Sequence, residues 1–231
     1  MLSAGTPIHF ATGQFAGQTV RLEVVEIQKA NLGRRSTGND RQFIDPPPVV
    51  RLRLFRVENA GTAQQTEAEI NYDAVQVVGF LCTVDLFPVP APGSQGALTE
   101  ASKQTQALAG TIFVQPAVVD NHGRKSLLFT LGDLSVKNEG TFILRYRIFD
   151  VLSTPLVQQN PLGFIAEARS APFRVYSNTD FPGFAPSTEL TKASFLSVIK
   201  EGLVSHGPTK QLSRSGVKVK VREVEKMQQR T

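Results

Sequence analysis

The sequence predicts a mostly β protein: an immunoglobulin-like β-sandwich with one helix in its C-terminal region. Three observations carry this prediction. Apolar residues recur with period two, most clearly where Phe142, Leu144, Tyr146 and Ile148 alternate with Ile143, Arg145, Arg147 and Phe149, and period two is the side-chain repeat of a strand. Turn-forming segments such as Asp120-Asn121-His122-Gly123-Arg124 and Asn138-Glu139-Gly140 separate such runs. One late segment instead has helical spacing, with Leu196, Ile199 and Leu203 at i, i+3 and i+7.

In chain order, residues 1–16 are small and polar and read as a flexible N-terminus; 17–223 read as a single domain and 224–231 as a basic tail. Val20, Leu22 and Val24 alternate, then the phase shifts to Val25 and Ile27, as in a strand with a bulge. A polar, basic loop follows from Lys29 to Arg41, with Gly33 and Gly38 in it. Pro46, Pro47 and Pro48 fix φ and lack amide donors, so they predict a stiff joint of polyproline type. Val50, Leu52 and Leu54 then alternate with Arg51 and Arg53 in a half-buried strand. Residues 58–73 form a polar connection, and the apolar run 74–87 predicts a central strand buried on both faces. Residues 88–108, rich in Pro, Gly, Ser, Thr and Gln, predict a poorly packed loop insertion. Thr111–Val119 and Lys125–Leu131 flank a hairpin turn, 152–170 is a long loop, and Phe173–Tyr176 is a short strand. Ser187 or Thr188 can cap the helix, which His206-Gly207-Pro208 ends. Val217, Val219 and Val221 against Lys218, Lys220 and Arg222 predict a last strand with one cationic face.

Composition narrows the function. With 41% apolar and 19% charged residues in 231, a packed core is expected. Cys82 is the single cysteine, which excludes an internal disulfide and fits a buried thiol in a reducing compartment. The N-terminal stretch lacks a signal-peptide pattern and no run reaches membrane-spanning length, so a soluble intracellular protein with no membrane partner is expected. His9, His122 and His206 have no ligand spacing, and no P-loop, nucleophile elbow or dinucleotide fingerprint occurs. Neither a metal, a cofactor nor an enzymatic activity is expected. Asp133 reads as a turn carboxylate bonding nearby backbone, and Phe142, Tyr146 and Phe173 as core.

Charge is polarised. Residues 28–56 carry seven basic side chains against Asp40 and Asp45, and residues 207–231 seven against Glu223 and Glu225, so each region is +5 and the remainder −5. Two such regions can form a polyanion-binding face; the alternative is two solvated basic surfaces with no ligand. Arginine pairs bidentately with phosphate, which makes Arg34, Arg35 and Arg41 the leading candidates, with Lys29 beside them and Lys218 and Lys220 as a second anchor.

Several stretches together resemble the velvet domain of fungal regulators. They are Asp40-Arg41, Ile44-Asp45-Pro46-Pro47-Pro48-Val49-Val50, Asp133-Leu134-Ser135-Val136, Glu139-Gly140-Thr141-Phe142, Phe173–Ser177, Phe181-Pro182-Gly183, Ser187–Lys192 and Gly216–Arg222. The resemblance implies an immunoglobulin-like sandwich similar to the Rel homology domain. It also implies a nuclear transcriptional regulator, shuttling with the cytoplasm, that binds double-stranded DNA as a dimer and controls fungal development, sporulation and secondary metabolism. Another velvet-family protein and a regulatory methyltransferase are the implied partners, and the loop before Ile44 is the implied DNA contact. The family often has further Lys or Arg at that point, where this chain has Thr37, Asn39 and Gln42. The alternative is an interaction subunit that leaves DNA contact to its velvet partner.

Overall fold

Where apolar side chains alternate, the chain is extended and its apolar set faces inward. The computed structural model describes residues 5–38, 40–90, 99–121, 124–157 and 163–191. The first strands are β1 (Ile8–His9), β2 (Thr19–Gln28), β3 (Leu32–Arg34), β4 (Val49–Glu58), β5 (Thr66–Glu69), β6 (Phe80–Pro88) and β7 (Leu108–Ala109). They are followed by β8 (Phe113–Val114), β9 (Ala117–Asn121), β10 (Arg124–Thr130), β11 (Ser135–Val136), β12 (Gly140–Asp150), β13 (Ala166–Arg169) and β14 (Phe173–Tyr176).

These build two six-stranded sheets and a small β7–β11 ladder. One sheet runs β1-β2-β4-β10-β9, with β5 taking the part of the β4 edge that β10 leaves. The other runs β3-β14-β12-β6-β8, with β13 and β14 sharing one edge of β12. The inward residues Leu22, Leu52, Leu54, Leu127 and Phe129 of the first sheet share one core with Phe80, Leu86, Leu144 and Tyr146 of the second. Each such side chain contributes roughly 1.5–3 kcal/mol on burial. The expected mostly β, sandwich-like fold is therefore observed.

The phase shift in β2 is a register shift between Glu26 and Gln28 against β4. It turns Gln28 inward. There its amide donates to the Pro47 carbonyl (2.7 Å) and to Thr191 Oγ1 (2.9 Å) and accepts from the Thr188 hydroxyl. The Thr191 N–H donates to Thr188 Oγ1 at 3.1 Å, as an N-cap should, so Thr188 rather than Ser187 opens the helical turn 189–191. The remainder of the expected helix and the expected last strand lie outside the described residues. The proline joint is pinned at both faces, since the Pro48 carbonyl also accepts from Leu131 (3.0 Å).

Four expectations are corrected. The stretch expected to be a flexible N-terminus is packed from Ile8 on: β1 pairs with β2, and Ile8, Phe10 and Phe15 are buried in the core. The run 74–87 is not one strand: Tyr72–Ala74 and Val77–Gly79 are 3-10 turns, and β6 begins at Phe80. Asn71 draws the first turn by accepting from Asp73 N–H (3.0 Å), and the Asp150 carboxylate takes the room a side chain at residue 79 would need. Nor is β6 buried on both faces, because Leu81, Thr83 and Asp85 point to a polar outer surface and are only half-buried. The segment 88–108 is packed in its second half, where Ala107 and Leu108 join the core and Gln104 N–H donates to Leu86 (2.8 Å). Inside the expected loop 152–170, Ala166–Arg169 pairs with β12. That segment, Ala-Glu-Ala-Arg, has none of the β-branched or aromatic residues that mark a strand.

Cys82 is fully buried, and burial pushes its thiol well above the ordinary range. Phe142, Tyr146 and Phe173 are core residues as expected. Among the described residues, no helix is long and apolar enough to cross a membrane, and no cluster of His, Cys, Asp and Glu could hold a metal ion.

Candidate nucleic-acid interface

The basic segment leaves β3 at one end of the second sheet and is stapled rather than loose. Arg35 N–H donates to the Tyr176 carbonyl (2.9 Å) and Ser36 N–H to the Val136 carbonyl (2.8 Å). The tip is a tight turn in which Thr37 and Asp40 exchange backbone hydrogen bonds of 3.2 and 2.7 Å. Gly38, at φ +41°, takes the left-handed conformation this turn needs. Past the tip, Gln42 N–H donates to Ser36 Oγ (2.9 Å) and Ile44 N–H to the Leu134 carbonyl (2.9 Å). A polar, glycine-containing sequence thus folds as a short projecting turn between two anchored ends.

The predicted cations fall into different settings. Arg34 donates to Asp40 at 2.6 Å, and its guanidinium lies 6.0 Å from the Phe181 ring centre. Arg41, although exposed, turns inward: it donates to the Asp133 carbonyl (2.5 Å), to the Asp133 carboxylate (3.4 Å) and to Ser135 Oγ (3.3 Å). Arg35 makes no ion pair among the described residues, and its Nε is buried without a partner there. Lys29 is exposed just past β2. Its charge, with hydrogen bonds from Tyr146 and Ala171, opposes the burial that raises the Glu26 carboxyl. Lys218 and Lys220 lie outside the described residues. Arg34, Arg35 and Arg41 therefore share one turn; Lys29 belongs to the end of a different strand.

Asp133 bonds backbone as expected, but that of Thr111, 22 residues away in sequence, accepting from its N–H (2.9 Å) and also from its hydroxyl (3.0 Å). Gly110 permits this approach: a Cβ there would lie 2.3 Å from the Asp133 carbonyl oxygen and 2.4 Å from Arg41 Nη2. Beside the turn, Arg41, Phe43, Ile44, Pro47 and Phe184 line a cleft of about 260 Å³. Asp133, Ser135 and Gln28 are the residues of this region whose roles the sequence did not disclose. The signal for Gln28 was a polar residue landing inward after the bulge; Asp133 and Ser135 meet Arg41 only through tertiary contact.

Comparison with known proteins bears on this arrangement. A family model described as Velvet factor matches residues 20–97 and 89–197. The chain belongs to the velvet family. A probable velvet family sexual development regulator of Schizophyllum commune is 44% identical over 96% of this chain and 80% of its own length. One from Laccaria bicolor is 40% identical over 96% of this chain and 76% of its own. A developmental and secondary metabolism regulator of Penicillium rubens is 30% identical over 69% of this chain and 31% of its own. Among the described residues, several segments of the velvet resemblance that are distant in sequence touch one another. Arg41 joins Asp40-Arg41 to Asp133–Val136, and Gln28 joins the proline joint to Thr188–Thr191. The velvet match ends at residue 197, so Lys218 and Lys220 lie beyond it.

Proposed function

We propose that this velvet protein is a nuclear transcriptional regulator of sexual development and secondary metabolism that binds double-stranded DNA as a dimer. The contact is the turn bearing Arg34, Arg35 and Arg41, and Lys218 and Lys220 form a second anchor. What supports this is the grouping of three arginines on one anchored turn at one end of the sandwich, since stiffly mounted guanidinium groups suit phosphate and groove contact. The developmental role rests on the names of the relatives. Dimerisation, a methyltransferase partner and nuclear location rest on the family.

The second reading is an interaction subunit whose velvet partner carries the DNA. It is favoured by the Arg34–Asp40 and Arg41–Asp133 pairs, which already engage two of the three guanidinium groups. Mobility-shift titrations across a salt series, with the protein alone and with another velvet protein, separate the two. Binding by the chain alone, with affinity falling as salt rises, is expected of the first reading. Binding only in the mixture, unchanged by arginine variants of this chain, is expected of the second. Sedimentation of the same samples tests the dimer, and a monomer in every mixture would rule it out.

A further inference from the structure

Within the projecting turn, Arg34-Arg35-Ser36-Thr37 places two arginines three and two residues before a threonine. The two hydroxyls are not equivalent. Ser36 Oγ is half-buried, accepts from Gln42 N–H (2.9 Å) and donates to the Gln42 carbonyl (3.2 Å). The Thr37 side chain is exposed at the tip and makes no hydrogen bond among the described residues. Arg34 ends the three-residue edge strand β3, which pairs with β14 and is bridged to Asp45 through Leu32, so the exposed tip with Thr37 begins directly after an anchored strand. A kinase with an acidic substrate groove reads arginines at this spacing through charge-assisted hydrogen bonds.

We propose that Thr37 is a phosphorylation site for an arginine-directed Ser/Thr protein kinase, and that its modification switches the turn from DNA-attracting to DNA-repelling. The kinase transfers the γ-phosphoryl of ATP to Thr37 Oγ1. The new O–P bond forms as the bond to the ADP oxygen breaks, and the hydroxyl proton passes to the kinase's carboxylate base. Residues 34–41 hold three arginines and Asp40, a charge of +2. Phosphothreonine adds roughly −1.5 to −2 at neutral pH, which cancels it. The new phosphate is also a competing partner for Arg34 and Arg35, as Asp40 already is for Arg34. The consequence for DNA rests on the DNA-contact reading above; the modification site does not.

The test incubates the full chain with magnesium ATP and the catalytic subunit of cyclic-AMP-dependent protein kinase, beside Ser36→Ala, Thr37→Ala and Arg34→Gln variants. Phosphate is located by peptide mass spectrometry. Wild type and Ser36→Ala should gain phosphate on Thr37, while Arg34→Gln should be modified there at least about tenfold more slowly, the worth of one charge-assisted contact. No phosphate at this turn, or phosphate on Ser36 alone, overturns the site. Modified and unmodified protein are then titrated against a short duplex at several salt concentrations. The phosphorylated form should bind more weakly, with the slope of log K against log salt flatter by roughly two. Equal slopes would overturn the switch. If the unmodified protein shows no salt-dependent binding, the DNA reading itself fails, while the phosphate on Thr37 still decides the site.

Discussion

Two groups of arginines sit on the second sheet and its end, and they are held in opposite ways. Arg145 and Arg147, on the outer face of β12, share three carboxylates. Arg145 lies 2.6 Å from Asp85 and also bonds Glu100; Arg147 lies 2.9 Å from Glu167 and 3.1 Å from Glu100. The Arg145 side chain is only 5% exposed and its guanidinium lies 4.7 Å from the Phe87 ring centre. Arg34 and Arg41 have one carboxylate each, at 2.6 and 3.4 Å, and Arg35 has none among the described residues. The first group is paired with several carboxylates at once and ties residue 100 of the inserted segment to the sheet. The second has two carboxylates for three guanidinium groups among the described residues, so an external anion meets less competition there. An alternating arginine on a strand and an arginine in a loop look alike in sequence; the count of carboxylates around each separates clamp from contact.

The sharpest way to break this contrast is Arg145→Ala. It leaves Asp85, whose side chain is 14% exposed, without its main cation. Breaking such a buried pair costs about 3 kcal/mol or more. Urea denaturation should show that loss, with DNA affinity of the remaining folded protein unchanged. A loss below about 0.5 kcal/mol, the range of ordinary surface changes, would place Arg145 with the loop arginines instead.

Within the turn the arginines should also part company. Arg41→Ala removes the bonds to Asp133 and Ser135 and should cost about 1–2 kcal/mol, besides weakening DNA binding. Arg35→Ala breaks no ion pair among the described residues, so its melting point should stay put while the salt slope flattens by roughly one. Equal stability losses for the two variants would remove the distinction between anchor and contact.

A smaller effect appears in acid. The hydrogen bond from Arg145 holds the Glu100 carboxyl down at about 2. Burial would raise Asp85, but hydrogen bonds from Arg145 and Thr105 outweigh it and hold it low too. A depressed folded-state value means stability that is present above the unfolded value, near 4.3 for Glu, and lost as pH falls toward 2. Denaturation midpoints should fall over roughly pH 5 to 2, and Glu100→Gln should make that fall shallower. Wild type and variant with superimposable acid limbs would show that the pair carries no stability.

The fold was legible where period two was unbroken, as in β12 and β4, and where chemistry punctuated it, as at the β9–β10 hairpin and the proline joint. It was not legible in β13, where small and charged residues take strand form only because the β12 edge is there to pair with. The apolar run before Phe80 misled because Val75, Val77 and Val78 are apolar without being extended in a sheet. For the site, the cluster of Arg34, Arg35 and Arg41 was visible as local charge, but their division of labour was not. Asp133 is 92 residues from Arg41, and a pairing at that separation leaves no local pattern.

The finest test concerns Asp40. It accepts from Arg34 at 2.6 Å, and both side chains are partly exposed. Such surface pairs contribute at most about 1 kcal/mol. Asp40→Asn keeps an oxygen for the Gln42 amide, which also bonds this carboxylate, and removes only the charge. Stability should therefore change by less than about 0.5 kcal/mol. The turn's charge rises from +2 to +3, counting Arg34, Arg35 and Arg41 against residue 40. If Asp40 occupies Arg34 in the free protein and yields it to a DNA phosphate, the variant should bind a duplex a few-fold more tightly, with a salt slope steeper by up to about 0.9. If Asp40 instead aims Arg34 at the phosphate, affinity should fall at constant stability. The interaction-subunit reading expects no DNA binding by either form alone and identical binding once a velvet partner is added. Tighter binding with an unchanged slope would also count against the exchange, because an Arg34 freed onto a phosphate must displace a counterion.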